Sequence, residues 1–440
     1  MTDKALLLQK IHDDIDAYCE AFFDFSFDKN NPVVRLHEPT TTGAEIFAAV
    51  ETLLSTFTTM GKKVRAFEKQ YAEYVGMEHG VMSNSGSSAN LLAVAALANP
   101  FTPNHLKAGD EVIVPALSWS TTIWPLVQHN MVPVFVDCDL NDLNLDLKKL
   151  EQAIGPKTRA IKLVHVYGNP CNMDVIMALA RKHNLFVIED CCEAMGSFYK
   201  GQSVGSFGNV GTFSFFFSHH ISTLEGGISV TNDFDLTETM RVLRAHGWSR
   251  EADEHKKYVE KYPHIDPRFI FINQGYNLRP TEVNAAMGMH QLPKLDDFID
   301  NRRETAAFYL QHLAQYKEFF RFQQETPQGK HVWFGFPIIL HDDTPFTVKD
   351  ITAFMQKNHI ETRPIIAGNM ARHPAFEMFE HRISGNLDAA DTVMQQGFAF
   401  ACHHAVDQSA REYVAGVIDT FMAPFVTKSH ASTSKSKELA

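Results

Sequence analysis

Leu185-Phe-Val-Ile-Glu-Asp190-Cys-Cys-Glu-Ala-Met-Gly-Ser197 is a short apolar run that ends in acid and passes into small residues. A strand with one wet face alternates apolar and polar side chains, and this run does not. Continuous runs suit a parallel sheet covered on both faces. Three similar runs lie upstream, at Glu111–Val114, Val132–Val136 and Ala160–Val166. Helical stretches separate them and suit right-handed crossovers. The pattern predicts an α/β sandwich of the doubly wound type. In open α/β sheets the ligand sits beyond the carboxyl ends of the strands. Asp190 stands at such an end, as a ligand-holding carboxylate or as a cap.

The rest of the chain extends this plan. A length of 440 residues fits two domains rather than one core. Residues 4–24 read as an amphipathic helix. From 43 to 74 the pattern is helical, with Ile46, Val50, Leu53, Leu54 and Phe57 at helical spacing. A helix around Arg279–Leu292 ends at Pro293, and another helical pattern spans Asp296–Tyr316. The expected divisions are an N-terminal helical extension (1–34), a large domain with the mostly parallel sheet (35–293), a smaller C-terminal α/β domain (294–426) and a disordered Ser/Lys-rich tail (427–440).

Composition narrows the class. Hydrophobic residues make up 45% and charged residues 21%, ordinary values for a soluble enzyme. A net charge of −12 without a basic run argues against nucleic acid and acidic membranes as partners. The uncharged stretch Val112–Val136 is long enough to cross a bilayer, but Pro115, Pro125 and Pro133 interrupt it. Asp3, Lys4 and Lys10 make the first residues unlike a signal peptide. Six scattered cysteines without a Cys-x-x-Cys pair suggest reduced thiols in the cytoplasm.

Residues 211–227 read Gly-Thr-Phe-Ser-Phe-Phe-Phe-Ser-His-His-Ile-Ser-Thr-Leu-Glu-Gly-Gly. This segment resembles the cofactor-lysine segment of the sugar aminotransferases that use pyridoxal phosphate, the DegT/DnrJ/EryC1/StrS family. Ser214, Glu225, Gly226 and Gly227 fall in frame, and the position of the Schiff-base lysine holds His219. No lysine lies between Lys200 and Lys256. If this segment is a strand, His219 and His220 point to opposite faces and share no metal, and no metal site is expected. The resemblance covers about residues 35–425. It implies an aspartate aminotransferase-like (fold type I) architecture.

The resemblance also implies a cofactor site for pyridoxal or pyridoxamine phosphate. Gly86, Ser87 and Ser88 precede an apolar helical run, where free N–H groups and the helix dipole favour an anion. By resemblance they are the phosphate loop, joined by Ser214. Asp190 maps to the partner of the pyridine nitrogen, Glu193 to a residue near the ring hydroxyl and Trp119 to a ring stacked on the cofactor. Asn277, in Gly275-Tyr-Asn-Leu-Arg-Pro280, maps to a residue that the neighbouring subunit of a homodimer contributes. Arg250, Arg363 and Asn369 are candidate substrate contacts.

Histidine cannot bind the cofactor aldehyde covalently, yet it moves protons near neutral pH. The family's nucleotide-sugar 3-dehydratases fit that change. They remove the C3 hydroxyl of a 4-keto-6-deoxy sugar, with GDP-4-keto-6-deoxy-D-mannose the implied substrate and L-glutamate the implied amino donor. An iron–sulfur branch of these enzymes needs clustered cysteines, and none lies between Arg250 and Gly275, so no such cluster is expected. An aminotransferase, a dehydratase of CDP-linked sugars and a non-catalytic sugar-binding relative remain as alternatives.

Overall fold

The computed structural model describes the backbone of residues 3–437 and the side-chain surroundings of residues 3–426. The apolar runs become the strands of one sheet. They are β1 (His79–Ser83), β2 (Glu111–Pro115), β3 (Val132–Val136), β4 (Thr158–Val164), β5 (Phe186–Asp190), β6 (Val210–Ser214) and β7 (Gly227–Thr231). A second group follows: β8 (Phe320–Phe322), β9 (Phe336–Leu340), β10 (Thr362–Arg363), β11 (Arg382–Ile383) and β12 (Gly397–Phe400). The large sheet has the order β1-β7-β6-β5-β4-β2-β3-β11. Its strands run parallel except β7, which is antiparallel to both neighbours. Strands β8, β9, β12 and β10 form a separate antiparallel sheet. This is the aspartate aminotransferase-like plan.

Both faces of the large sheet are covered. Val112 and Val114 pack with Leu92, Ala93 and Ile123 in one core, while Ile113, Val134 and Ile161 pack with Ile176 and Leu179 in another. Helices α1 (Lys4–Phe22), α2 (Gly43–Leu54), α3 (Lys62–Val75), α4 (Gly86–Leu97) and α5 (Ser120–Gln128) precede β3. The C-terminal sheet has its own core around Tyr309, Phe336 and Phe400.

Four details differ from the sequence reading. The helical pattern over 43–74 is two helices, because Thr56 takes a left-handed φ of 62° and Gly61 caps α3. The carboxylate of Glu282 pins that start, accepting from the N–H groups of Gly61, Lys63 and Val64 at 2.9 Å each. Gly86 lies inside α4, and Ser85 is the N-cap. Strand β11, from the range assigned to the small domain, joins the edge of the large sheet, where Arg382 donates to Glu111 at 3.0 and 2.7 Å. The last helix runs Gln408–Lys437, so helical backbone extends into the stretch expected to be disordered. That stretch has no Gly or Pro to stop a helix. Its side chains, and residues 438–440, lie outside the described residues. Among the described residues no helix is long and apolar enough to cross a membrane.

Candidate active site

Asp190 ends β5 and is 5% exposed. Its Oδ2 accepts from Asn90 Nδ2 on α4 at 2.9 Å and from Thr122 Oγ1 on α5 at 2.7 Å. Its Oδ1 accepts from the N–H of Cys192 at 3.2 Å. Asn90 is held in turn by Thr212 Oγ1 of β6, at 3.1 Å. A carboxylate offers about four lone-pair sites, and three are used here. One remains on Oδ1. A cap would spend its carboxylate on a helix start; this one is fixed by two helices and keeps one acceptor site.

The start of α4 forms a cradle. Ser85 Oγ accepts from the N–H of Ser88 at 3.1 Å. Among the described residues no acceptor takes the N–H groups of Gly86 and Ser87. Gly86 is packed against Ser214: a Cβ there would lie 2.4 Å from Ser214 Cβ and 2.7 Å from its Oγ. A Cβ on Gly227 would lie 2.3 Å from the Ser85 carbonyl oxygen. Both glycines are therefore needed for the close approach of β6 and β7 to the loop. Ser87 is exposed and free. Ser88, expected to offer its hydroxyl, instead donates it to Asn84 Oδ1 at 2.6 Å, so its side chain belongs to the cap. Free N–H groups at the start of a helix suit a phosphate.

Trp119 is the N-cap of α5 and is 51% exposed, an uncovered aromatic face at the end of β2. Glu193 is half-buried and accepts from the N–H of Tyr167 at 3.0 Å. Burial pushes its carboxyl up to about 7, against Arg363, which lowers it. Arg363 ends β10 and is half-buried, within electrostatic reach of Tyr167, Glu193 and His219. The loop after it is tied over β2 through Met370 N–H to the Ala116 carbonyl, at 2.8 Å.

His219 faces the same space. Strand β6 ends at Ser214, so the two histidines lie in a turn and do not alternate across a sheet as expected. Both rings lean on Phe334, with centroids 5.2 and 5.6 Å away. His219 Nδ1 is buried with no hydrogen-bond partner. Burial, helped by Arg363, lowers the ring to about 3, while Asp190 raises it. The imidazole of the empty site is therefore neutral at ordinary pH.

Three expected contacts stand apart. Asn369 is fully buried: its amide donates to Asp391 Oδ1 at 2.7 Å and its oxygen accepts from Ala371 N–H at 3.1 Å. It caps a short helix, with both ends of its amide bonded within the chain. Asn277 is exposed and accepts from Arg279 Nε at 3.0 Å, while the next residue, Leu278, accepts from the N–H of Asn84 at 3.0 Å beside the cradle. Arg250 is exposed and lies over the Trp248 ring, 4.1 Å from its centroid.

Sequence reading missed Asn90, Thr122, Phe334 and Lys162. The lysine carried a signal, a lone charge in the apolar run Ala160–Val166. His165, Glu189 and Cys191 converge closely enough to suggest a metal. Hydrogen bonds account for them instead. Glu189 accepts from His165 Nε2 at 3.1 Å and from the N–H groups of Gly205, Phe207 and Gly208 at 2.7–2.8 Å, and Cys191 donates to the Glu189 carbonyl.

A free anion cradle, an open aromatic face, a carboxylate with one spare acceptor site and an orphaned imidazole nitrogen fit a flat phosphorylated heterocycle such as pyridoxal phosphate. The profile of the DegT/DnrJ/EryC1/StrS aminotransferases matches residues 40–419. The chain belongs to that family. Among its relatives, the GDP-4-keto-6-deoxy-D-mannose 3-dehydratase of Yersinia pseudotuberculosis is 41% identical over 369 residues, 83% of this chain and 92% of that one. A solved GDP-4-keto-6-deoxymannose 3-dehydratase with a trapped pyridoxal phosphate–glutamate geminal diamine is 36% identical, with a TM-score of 0.81 over 87% of this chain and 99% of that one. A His-to-Asn variant of such an enzyme, with GDP-perosamine bound, is 36% identical, with a TM-score of 0.82 over 87% and 99%.

Proposed function

We propose that this protein is a nucleotide-sugar 3-dehydratase that removes the C3 hydroxyl of GDP-4-keto-6-deoxy-D-mannose in dideoxysugar and O-antigen synthesis. The observation that carries this reading is His219. A neutral imidazole with an unpartnered nitrogen occupies the position that the resemblance gives to the covalent lysine, near the anion cradle, Trp119 and Asp190. The dehydratase relative and the structures holding a glutamate adduct and GDP-perosamine support the substrate and the amino donor.

The cofactor, when bound as pyridoxamine phosphate, supplies the amine that engages the sugar 4-ketone and a ring that takes up electron density. The residues of this chain do the rest. Gly86 and Ser87 N–H groups, with the Ser87 and Ser214 hydroxyls, would hold the phosphate. Trp119 covers one face of the ring. Asp190 would hold the ring nitrogen and keep it protonated through a charge-assisted hydrogen bond. His219 takes a proton at a ring nitrogen and returns one to the departing C3 oxygen, which leaves as water. Arg363 places a positive charge beside these groups, and Glu193 offers a carboxyl poised near neutrality. The products are a 3-deoxy-4-keto sugar, ammonia and, from glutamate, 2-oxoglutarate. A homodimer completes the site in this reading, with Asn277 reaching the site of the neighbouring subunit and Arg250 a candidate contact for a nucleotide phosphate. We place the reaction in the cytoplasm, consistent with six unpaired cysteines.

The test is mass spectrometry of products from 4-keto-6-deoxy sugars carrying GDP, CDP or dTDP, with pyridoxamine phosphate and glutamate. The GDP sugar should yield the 3-deoxy product fastest, with no reductase or iron added. A 4-amino sugar as the main product would overturn the assignment.

A further inference from the structure

Lys162 lies on β4, in the middle of the large sheet, and is fully buried. Its Nζ has no hydrogen-bond partner. A buried ammonium without partners is costly, so an opposite charge nearby must account for it. Across the parallel β4–β5 ladder, Lys162 pairs with Ile188 and Val164 with Asp190. Side chains alternate along a strand, so Lys162, Ile188 and Asp190 share one face. That is the face from which Asn90 and Thr122 hold Asp190. Lys162 therefore sits one level deeper in the sheet than Asp190, one strand over.

Two titratable groups face its ammonium, Asp190 and Cys192. Burial pushes the Cys192 thiol well up, so it stays neutral and leaves Asp190 as the opposing charge. Burial brings Lys162 itself down to about 8, with Asp190 pulling the other way.

We infer that Lys162 is a positioning residue: its ammonium is the buried counter-charge of Asp190, and it releases a proton to solvent when the protonated ring nitrogen of the cofactor arrives. This rests on the reading of Asp190 as the ring-nitrogen partner. With the cofactor bound, two positive charges would face one carboxylate. The ring nitrogen gains a direct hydrogen bond at the free Oδ1 site, whereas the ammonium has none. The ammonium is therefore the group that gives up its proton, from Nζ to water. The residue keeps Asp190 paired while the site is empty and leaves the ring nitrogen as its sole ionic partner when the site is full.

Two measurements test this. The first uses the cofactor-free protein and a double-mutant cycle of folding stability at pH 7 with Lys162→Met, Asp190→Asn and the double variant. Methionine keeps the length of the stem without the charge. Asp190→Asn should be markedly destabilising alone and much less so beside Lys162→Met, with a coupling of several-fold to about a hundredfold in the folding equilibrium. Additive effects would overturn the counter-charge. The second is calorimetric titration with pyridoxamine phosphate at pH 7 in buffers of different ionisation enthalpy. Wild type should release up to about one proton more per site than Lys162→Met, and its affinity relative to that variant should climb with increasing pH, by up to about tenfold per unit, until about pH 8 and level off above it. Equal proton counts would overturn the exchange. Borohydride fixing added pyridoxal phosphate, the aldehyde form of the cofactor, onto Lys162 would overturn it too, since the residue would then be a covalent lysine. Failure of wild type to bind pyridoxamine phosphate would sink the cofactor reading, while the stability cycle still decides the counter-charge.

Discussion

Asp190→Asn removes a charge while nearly preserving shape. In the structure Oδ2 is filled by Asn90 and Thr122, and Oδ1 accepts from Cys192 N–H with the Cys192 thiol beside the carboxylate. A single charge-assisted hydrogen bond to the ring nitrogen fits there. Such a bond is worth about 1.5–3 kcal/mol. At about 1.4 kcal/mol per tenfold, its loss should weaken pyridoxamine phosphate binding by about 10- to 150-fold. Asparagine can still accept from two of the three present donors, so the local hydrogen-bonded frame should survive, although the variant is less stable for want of a charge opposite Lys162. The assay is calorimetric or fluorescence titration of the cofactor into variant and wild type, with circular dichroism as the check on folding. A folded variant whose affinity lies within about threefold of wild type would refute the placement of the ring nitrogen against Asp190.

Two further outcomes follow from the same geometry. Gly86→Ala puts a Cβ 2.4 Å from Ser214 Cβ, so the cradle must open. Thermal unfolding should show a loss of about 1–3 kcal/mol, and cofactor retention on gel filtration should drop; an unchanged variant would mean that the loop is not closely packed. Stability should also fall as the pH is lowered from about 6.5 toward 4. His219 is lowered to about 3 and His37 and His404 to about 4, with His129, His220, His331 and His403 lowered as well. Over that window the unfolded chain binds more protons at these positions than the folded one, so acid favours unfolding, by up to about 1.4 kcal/mol per pH unit for a buried group. Glu193, raised to about 7, and Asp142, raised to about 6, act in the opposite sense but are fewer. A urea midpoint at pH 5 equal to or above that at pH 7.5 would contradict this balance.

The parts of the fold legible in sequence were those with local causes. The strands from Glu111 to Asp190 announced themselves because burial on both faces forces continuous apolar runs. Asp190 was legible because a parallel strand must end somewhere, and ligands gather at that end. The break between α2 and α3 was not, since Glu282 fixes it from more than two hundred residues away. Strand β11 is two residues long and carries no period. Asn90 and Thr122 reach Asp190 from 100 and 68 residues away, contacts that exist only once the sheet has closed. Asn369 is a candidate substrate contact because its loop resembles one that reaches the active site; its hydrogen bond to Asp391 depends on a residue 22 positions away and is not legible locally. The frame around His219 was legible; the turn that brings it against Phe334 was not.

The most direct measurement of the central claim compares wild type with His219→Asn in a single turnover on GDP-4-keto-6-deoxy-D-mannose, following sugar and ammonia by mass spectrometry. Asparagine keeps polarity but is no base at neutral pH. Cofactor and sugar should still bind, because the cradle, Trp119 and Asp190 are untouched. General acid–base catalysis contributes about 10²–10⁴-fold, so formation of the 3-deoxy sugar should fall by at least that range. A folded variant that binds cofactor and keeps more than about a tenth of the wild-type rate would show that another residue moves the proton.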